Sequence, residues 1–166
     1  VSPERINFAS GLGIDLLGEN RVQEFLDKRE SYLPTEIQFI GPLQTNKVKY
    51  IIDKVSMIHS VDSMRLAEEI DRRAAKHGLV MDILTEINIG GEDSKSGIPP
   101  QEVRDFCARL GTLRNVRLRG LMTIPPPSCG EERFAQMRGL FEDIKSGANL
   151  ADAACFDTLS RGMSGD

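Results

Sequence analysis

The closing stretch of the chain carries the residue types best suited to hold an anion. Phe156 to Leu159 reads as a short strand, which breaks into Ser160, Gly162, Met163, Ser164 and Gly165. Small residues let successive backbone N–H groups crowd around one oxyanion, and serine hydroxyls add further donors. A strand running into a hydroxyl- and glycine-rich turn is the build of a phosphate cradle on a barrel rim. The plain alternative is a Ser/Gly turn with no ligand.

Other polar residues fall at strand ends, where they could face such a cradle. Asn20 closes one strand and could bond the substituents of a bound ring; it also suits the N-cap of the next helix, with Gln23 as capping-box partner. Lys95, in a Gly- and Ser-flanked loop, is a lesser candidate, and Lys47 and Lys49 read as a solvated helix start. Glu86 and Asn88 alternate along one strand and so share a face, which lines the site if that face is the interior. His59 is followed by Ser60 and Asp62, but no nucleophile elbow surrounds them, so His59 reads as a structural strand histidine. His77 precedes the Gly78 helix stop and suits a helix C-terminus. Cys107 reads as core.

The elements that would position these residues alternate. Ser2-Pro3-Glu4 opens a helix that runs to about Gly11. Strands are expected at Ile14–Leu17, Ile37–Ile40, Met57–Val61, Val80–Ile89, Val116–Ile124 and Phe156–Leu159, with Val80–Ile89 the longest. Between them, apolar residues recur at helical spacing: Val22, Phe25 and Leu26; Val48, Ile51, Ile52 and Val55; Leu66, Ile70 and Ala74; Val103, Phe106, Cys107 and Leu110; Phe134, Met137, Phe141 and Ile144. Asp62 or Ser63 caps the helix that Gly78 ends. Strict alternation implies parallel strands with right-handed crossovers. An open doubly wound sheet and a (β/α)8 TIM-type barrel both fit. The barrel is favoured, because no glycine-rich dinucleotide fingerprint follows any strand.

The expected fold class is therefore α/β, of (β/α)8 TIM-barrel type, with six of the eight strands present. The 166 residues form a single domain, an internal piece of a barrel. Such barrels typically take about 250 residues. A strand before Val1 and a helix with a strand after Asp166 would close the cylinder.

Composition narrows the function. Hydrophobic residues make up 40% and charged ones 28%, an ordinary globular balance. A formal net charge of −4 offers no broad basic field for nucleic acid, and with Trp absent and aromatics at 5% there is no base-stacking platform. No apolar run reaches the ~18 residues of a membrane span. The 3 cysteines show no CxxC or metal-ligand spacing, as expected in a reduced, cytoplasmic setting.

Several segments also carry a family pattern. Leu17–Glu24 (LGENRVQE) resembles FGENxVQE, and Phe39–Lys49 (FIGPLQTNKVK) resembles HFIGxLQxNKxK. Ile87–Gly97 (INIGGEDSKSG) resembles VNIxxExxKSG. Ile58–Ser63, Arg119–Pro125 and Leu159–Asp166 follow in the same order. Together these segments resemble the pyridoxal phosphate homeostasis proteins, the YggS/PROSC family.

The resemblance implies a β/α barrel similar to the N-terminal domain of alanine racemase. It implies pyridoxal 5′-phosphate as cofactor, held as a Schiff base by a lysine expected just upstream of Val1. The implied role is binding, buffering and delivery of the cofactor to PLP-dependent apo-enzymes, by a monomeric cytosolic protein with no established reaction. Cofactor contacts then fall to Asn20, Ser160, Gly162, Met163 and Ser164, with no metal. The last barrel strand, expected after Asp166, would add an arginine near the pyridine nitrogen and further phosphate donors. Gln38 stands where the family commonly has His, and Arg161 where it commonly has Met or Leu; both are expected to tune the pocket. Two other classes compete: an alanine-racemase-like PLP enzyme, whose fold adds a β-domain with a second catalytic base, and a truncated, non-binding fragment.

Overall fold

The computed structural model describes residues 1–92, 95–125, 130–147 and 153–161. Helices and strands alternate throughout: α1 (Pro3–Gly11), β1 (Leu16–Glu19), α2 (Val22–Lys28), β2 (Glu36–Phe39), α3 (Val48–Ile51), β3 (Met57–Val61), α4 (Met64–His77), β4 (Met81–Glu86), α5 (Val103–Leu110), β5 (Val116–Thr123), α6 (Glu131–Ser146) and β6 (Thr158–Arg161). The strands form one 6-stranded sheet in sequence order, every neighbouring pair parallel. Strand order equal to chain order is the wiring of a β/α barrel; a doubly wound sheet reverses direction partway.

The sheet is strongly curved. Neighbouring strands lie about 4.8 Å apart, so β3 and β6, three steps apart, would be separated by roughly 14 Å in a flat sheet. Yet His59 on β3 and Ser160 on β6 meet at 3.2 Å. Two short reaching side chains close that gap when both project from the concave face of an arc. The six strands therefore make the greater part of a barrel wall.

The convex face carries the main core. Ile37, Phe39, Ile58, Ile83 and Leu121 pack with the apolar stripes of the helices, among them Phe25, Ile51, Ile70, Phe106 and Phe141. The period-3.6 stripes read from sequence are buried as expected: Leu66, Ile70 and Ala74 on α4, and Val103, Phe106, Cys107 and Leu110 on α5. The α4 ends also follow their local signals. Ser63 accepts from the Leu66 N–H, and Gly78 takes the left-handed conformation (φ 65°) that closes the helix. A smaller apolar cluster, Met57, Leu84 and Met122, is separate from the main core. Toward the N-terminal ends of β4 and β5, Arg117 Nε and Nη2 donate to Asp82 Oδ1 and Oδ2 at 2.6 and 3.0 Å. Arg119 Nη1 adds a bond to Asp82 at 2.7 Å and its Nη2 reaches Asp157 Oδ2 at 2.7 Å, tying β4 to β5 and to the approach of β6.

Some boundaries differ from the sequence reading. β5, not β4, is the longest strand, at 8 residues against 6. β4 ends at Glu86; just past it Ile87 still donates its N–H to the Met122 carbonyl of β5 and also bridges Ile98 of the returning loop. β1 starts two residues later than expected and extends to Glu19. The N-cap of α2 is Arg21, with no side-chain capping bond, so Asn20 does not serve as the cap. α1 buries none of its residues fully.

Candidate functional site

Polar residues converge at the C-terminal ends of the strands. His59 is the centre. It is 6% exposed, and burial lowers its pKa to about 4, so the ring is neutral near pH 7. Both ring nitrogens are partnered: Nε2 lies 2.8 Å from Gln38 Oε1 and Nδ1 lies 3.2 Å from Ser160 Oγ. Strand pairing explains the convergence. Gln38 on β2 registers with Met57 on β3, and alternation along β3 then puts His59 on the same face. Ser160 registers with Met122 on β5, which itself registers with Glu86 on β4. Ser60, next to His59 where the register of β3 shifts against β4, keeps a buried hydroxyl with no hydrogen-bond partner among the described residues.

Glu86 forms a second polar point at the same rim. It is 8% exposed and accepts from Ser96 Oγ at 2.8 Å. Burial, with a further push from Asp62, raises its pKa and favours the uncharged carboxyl, while the Ser96 hydrogen bond opposes this. Asn88 uses its amide within its own loop. Its Nδ2 donates to the Glu92 carbonyl at 2.8 Å and its Oδ1 accepts from the Glu92 N–H at 3.2 Å, so it folds the loop over the strand end. Gly97 returns that loop with φ 111°, and a Cβ there would sit 2.6 Å from the Asn88 nitrogen. The loop and strand ends enclose a cavity of about 190 Å³ lined by Glu86, Asn88, Lys95, Ser96 and Ile124. Lys95 lies at its exposed edge.

Asn20 lies on the same rim as Ser160, because both sit at the C-terminal ends of parallel strands. The structure does not bring the two together: they belong to the two ends of the strand order, and Asn20 is exposed. It lines a larger concavity of about 630 Å³ that runs beside β1, shared with Ile6, Ala9, Leu17 and Gly18. Its carbonyl packs against Gly41, where a Cβ would come within 2.0 Å. Gly162, Met163 and Ser164, the remaining cradle residues, lie outside the described residues. Arg161 does not enter the pocket. Its guanidinium lies 5.5 Å from the Phe134 ring centroid on α6, because β6 alternates and turns it away from the Ser160 face. Cys107 is buried in the core, where burial pushes its thiol up to about 12 and makes it inert.

Two residues carry more weight here than their place in the chain suggests. His59, read as structural, bridges β2 and β6 across the concave face. Glu36 was not singled out at all; its carboxylate accepts from Gln38 and from Ser56. A polar residue at every second position from Glu36 to Gln38 was the available signal, but alternation alone does not say which face turns inward.

Parallel strands curved round a polar concave face, with donors gathered at their C-terminal ends, define a β/α-barrel domain whose centre lies inside the wall. Residues 4–166 match the family model described as alanine racemase, N-terminal domain. A pyridoxal phosphate homeostasis protein from Aquifex aeolicus (strain VF5) is 44% identical over 172 residues, which is 100% of this chain and 74% of the relative. One from Pasteurella multocida (strain Pm70) is 38% identical, over 98% of this chain and 72% of the relative. The chain belongs to the alanine racemase N-terminal-domain family and, within it, to the pyridoxal phosphate homeostasis proteins. Among solved structures, PipY of Synechococcus elongatus PCC7942 with PLP bound matches at a TM-score of 0.82 and 27% identity, over 98% of this chain and 86% of PipY. An alanine racemase of Clostridium difficile 630 matches at a TM-score of 0.73 and 18% identity, over 96% of this chain and 46% of the racemase, a likeness of fold alone.

Proposed function

We propose that this chain binds pyridoxal 5′-phosphate on its concave face and serves its homeostasis by holding and releasing the cofactor. The observation that carries this reading is the Ser160 hydroxyl, held by a neutral His59 inside a wall that matches PipY solved with PLP bound.

The residues present fit the group. A phosphate dianion needs hydroxyl or N–H donors and an absence of competing negative charge. Ser160 supplies a hydroxyl at the rim, and Ser60 has a buried hydroxyl without a partner among the described residues. Glu86, the buried acid of the rim cavity, is shifted toward its uncharged form. Bound PLP brings an electrophilic aldehyde and a phosphate dianion. Ser160, with Gly162, Met163 and Ser164 following it in the chain, would hold the phosphate end. Asn20, on the same rim, would face the ring. His59 fixes the Ser160 rotamer, and the loop folded by Asn88 borders the rim cavity.

Delivery to PLP-dependent apo-enzymes, a monomeric single domain and a cytoplasmic location belong to the same reading. No helix among the described residues is long and apolar enough to cross a membrane. The test is a spectrophotometric titration of the intact protein with PLP, with inorganic phosphate as competitor. Saturable binding that phosphate weakens is expected. A protein that shows no saturable change with excess PLP overturns the reading.

A further inference from the structure

A line of polar side chains crosses the concave face from β2 to β6. Ser56 Oγ donates to Glu36 Oε1 at 2.7 Å, and Gln38 Nε2 donates to the same oxygen at 3.2 Å. Gln38 Oε1 faces His59 Nε2 at 2.8 Å, and His59 Nδ1 faces Ser160 Oγ at 3.2 Å. The chemistry of these groups gives the line a direction. An ionised carboxylate only accepts, so Glu36 takes the amide nitrogen of Gln38 and turns the amide oxygen toward His59. That oxygen also only accepts, so the ring proton of neutral His59 must sit on Nε2. Nδ1 is then an acceptor, and the single proton of the Ser160 hydroxyl is committed to it.

We infer that Glu36 is a positioning residue for the anion site: by fixing the direction of this line it commits the Ser160 proton to His59, so that a phosphate dianion docking at Ser160 draws a proton from solvent onto His59 Nδ1. This rests on the reading that the phosphate of PLP sits at Ser160. The proton count balances. A phosphate oxygen can only accept, so the Ser160 O–H turns to it and Nδ1 loses its donor. One proton taken from solvent restores every bond: Nδ1–H donates to Ser160 Oγ, Ser160 O–H donates to phosphate, and Nε2–H stays on Gln38. No other bond changes, and the imidazolium formed faces a dianion.

The charged groups round His59 are accounted for. β2 contributes Glu36, and β4 contributes Asp82 and Glu86, with Asp62 just past the end of β3. The arginines of β5, Arg117 and Arg119, are tied to Asp82 and Asp157, and β6 contributes the neutral Ser160. In the free protein burial keeps His59 uncharged down to about pH 4. The docked dianion raises that value, so affinity falls as pH rises through the bound-state pKa, by up to about tenfold per pH unit.

The test has two independent arms. Imidazole ¹⁵N spectra of the ligand-free intact protein are expected to show the Nε2–H tautomer of His59. In Glu36→Gln the amide can offer either end to Gln38, so Gln38 is free to flip and the Nδ1–H tautomer gains population. Glu36 is exposed, and the replacement keeps its shape, so the fold is retained. Calorimetric titration with PLP near neutral pH, in two buffers of different ionisation enthalpy, is expected to show more proton uptake in the wild type than in Glu36→Gln, by up to about one proton per ligand. An Nδ1–H tautomer in the wild type, an unchanged tautomer in the variant, or equal proton counts would overturn the inference. A protein that binds no PLP overturns the functional reading and the proton coupling with it, while the tautomer spectra still decide whether Glu36 sets the direction.

Discussion

His59 Nδ1 and Ser160 Oγ lie 3.2 Å apart although 101 residues and two intervening strands separate them. The contact joins the middle of the sheet to its last strand across the concave face. It ties the position of the rim hydroxyl to a buried ring that is itself anchored on β2 through Gln38. The candidate site is therefore a product of curvature: the two residues would not touch in a flat sheet of the same strand order.

Removing the rim hydroxyl isolates its share of binding. Ser160→Ala is expected to weaken PLP binding by about 1.5–3 kcal/mol, the worth of a hydrogen bond to a charged group, which is roughly ten- to 150-fold in Kd. An absorbance or fluorescence titration reads this directly. An unchanged Kd would place the phosphate elsewhere.

Acid should destabilise the fold through His59. Its folded pKa, about 4, lies below the ordinary value of 6.5, so the unfolded chain binds the proton more readily between those values. Stability is then lost as pH falls through that window. Glu86 acts with the opposite sign, because its raised folded pKa favours the folded state at low pH. Denaturant midpoints measured from pH 7 to pH 4 in a Glu86→Gln background should fall steadily, and His59→Gln should flatten the slope.

The loop over β4 depends on one backbone conformation. Gly97→Ala places a Cβ 2.6 Å from the Asn88 nitrogen at φ 111°. A cost of about 1–3 kcal/mol is expected from strain alone. Urea denaturation should show it, and amide exchange should rise first in the segment from Asn88 to Ile98.

The Asp82 pair network holds β4, β5 and the start of β6 together. Asp82→Ala strips Arg117 of its acid and leaves Arg119 with Asp157 and the Cys155 carbonyl. Because Arg117 is half exposed, water takes up part of the loss, and a destabilisation of about 1–3 kcal/mol is expected. A midpoint within error of the wild type would mean the network contributes nothing beyond solvent.

Much of the fold was legible in the chain itself. The helical stripes of α4 and α5, the Ser63 cap, the Gly78 stop and the alternation of strand with helix are all set by residues within one or two turns of each other. Local spacing fixes local burial, so these followed from order alone, and the motif segments pointed to the family. The site did not follow in the same way. Whether Gln38 and His59 face inward depends on register, and a register shift in β3 changes which neighbours align. Asn20 was expected to cap a helix; the chain passes one residue further before α2 begins, and Arg21 takes that place. Arg161 was expected to tune the pocket and faces α6 instead, because the period-2 alternation of β6 puts it opposite Ser160. Sequence determined the elements, their order and the family; the bend of the sheet decided that a glutamate, a glutamine, a histidine and a serine from three different strands should share one hydrogen-bonded line, since contacts across a curved wall are fixed by tertiary geometry and leave no periodic trace in the chain.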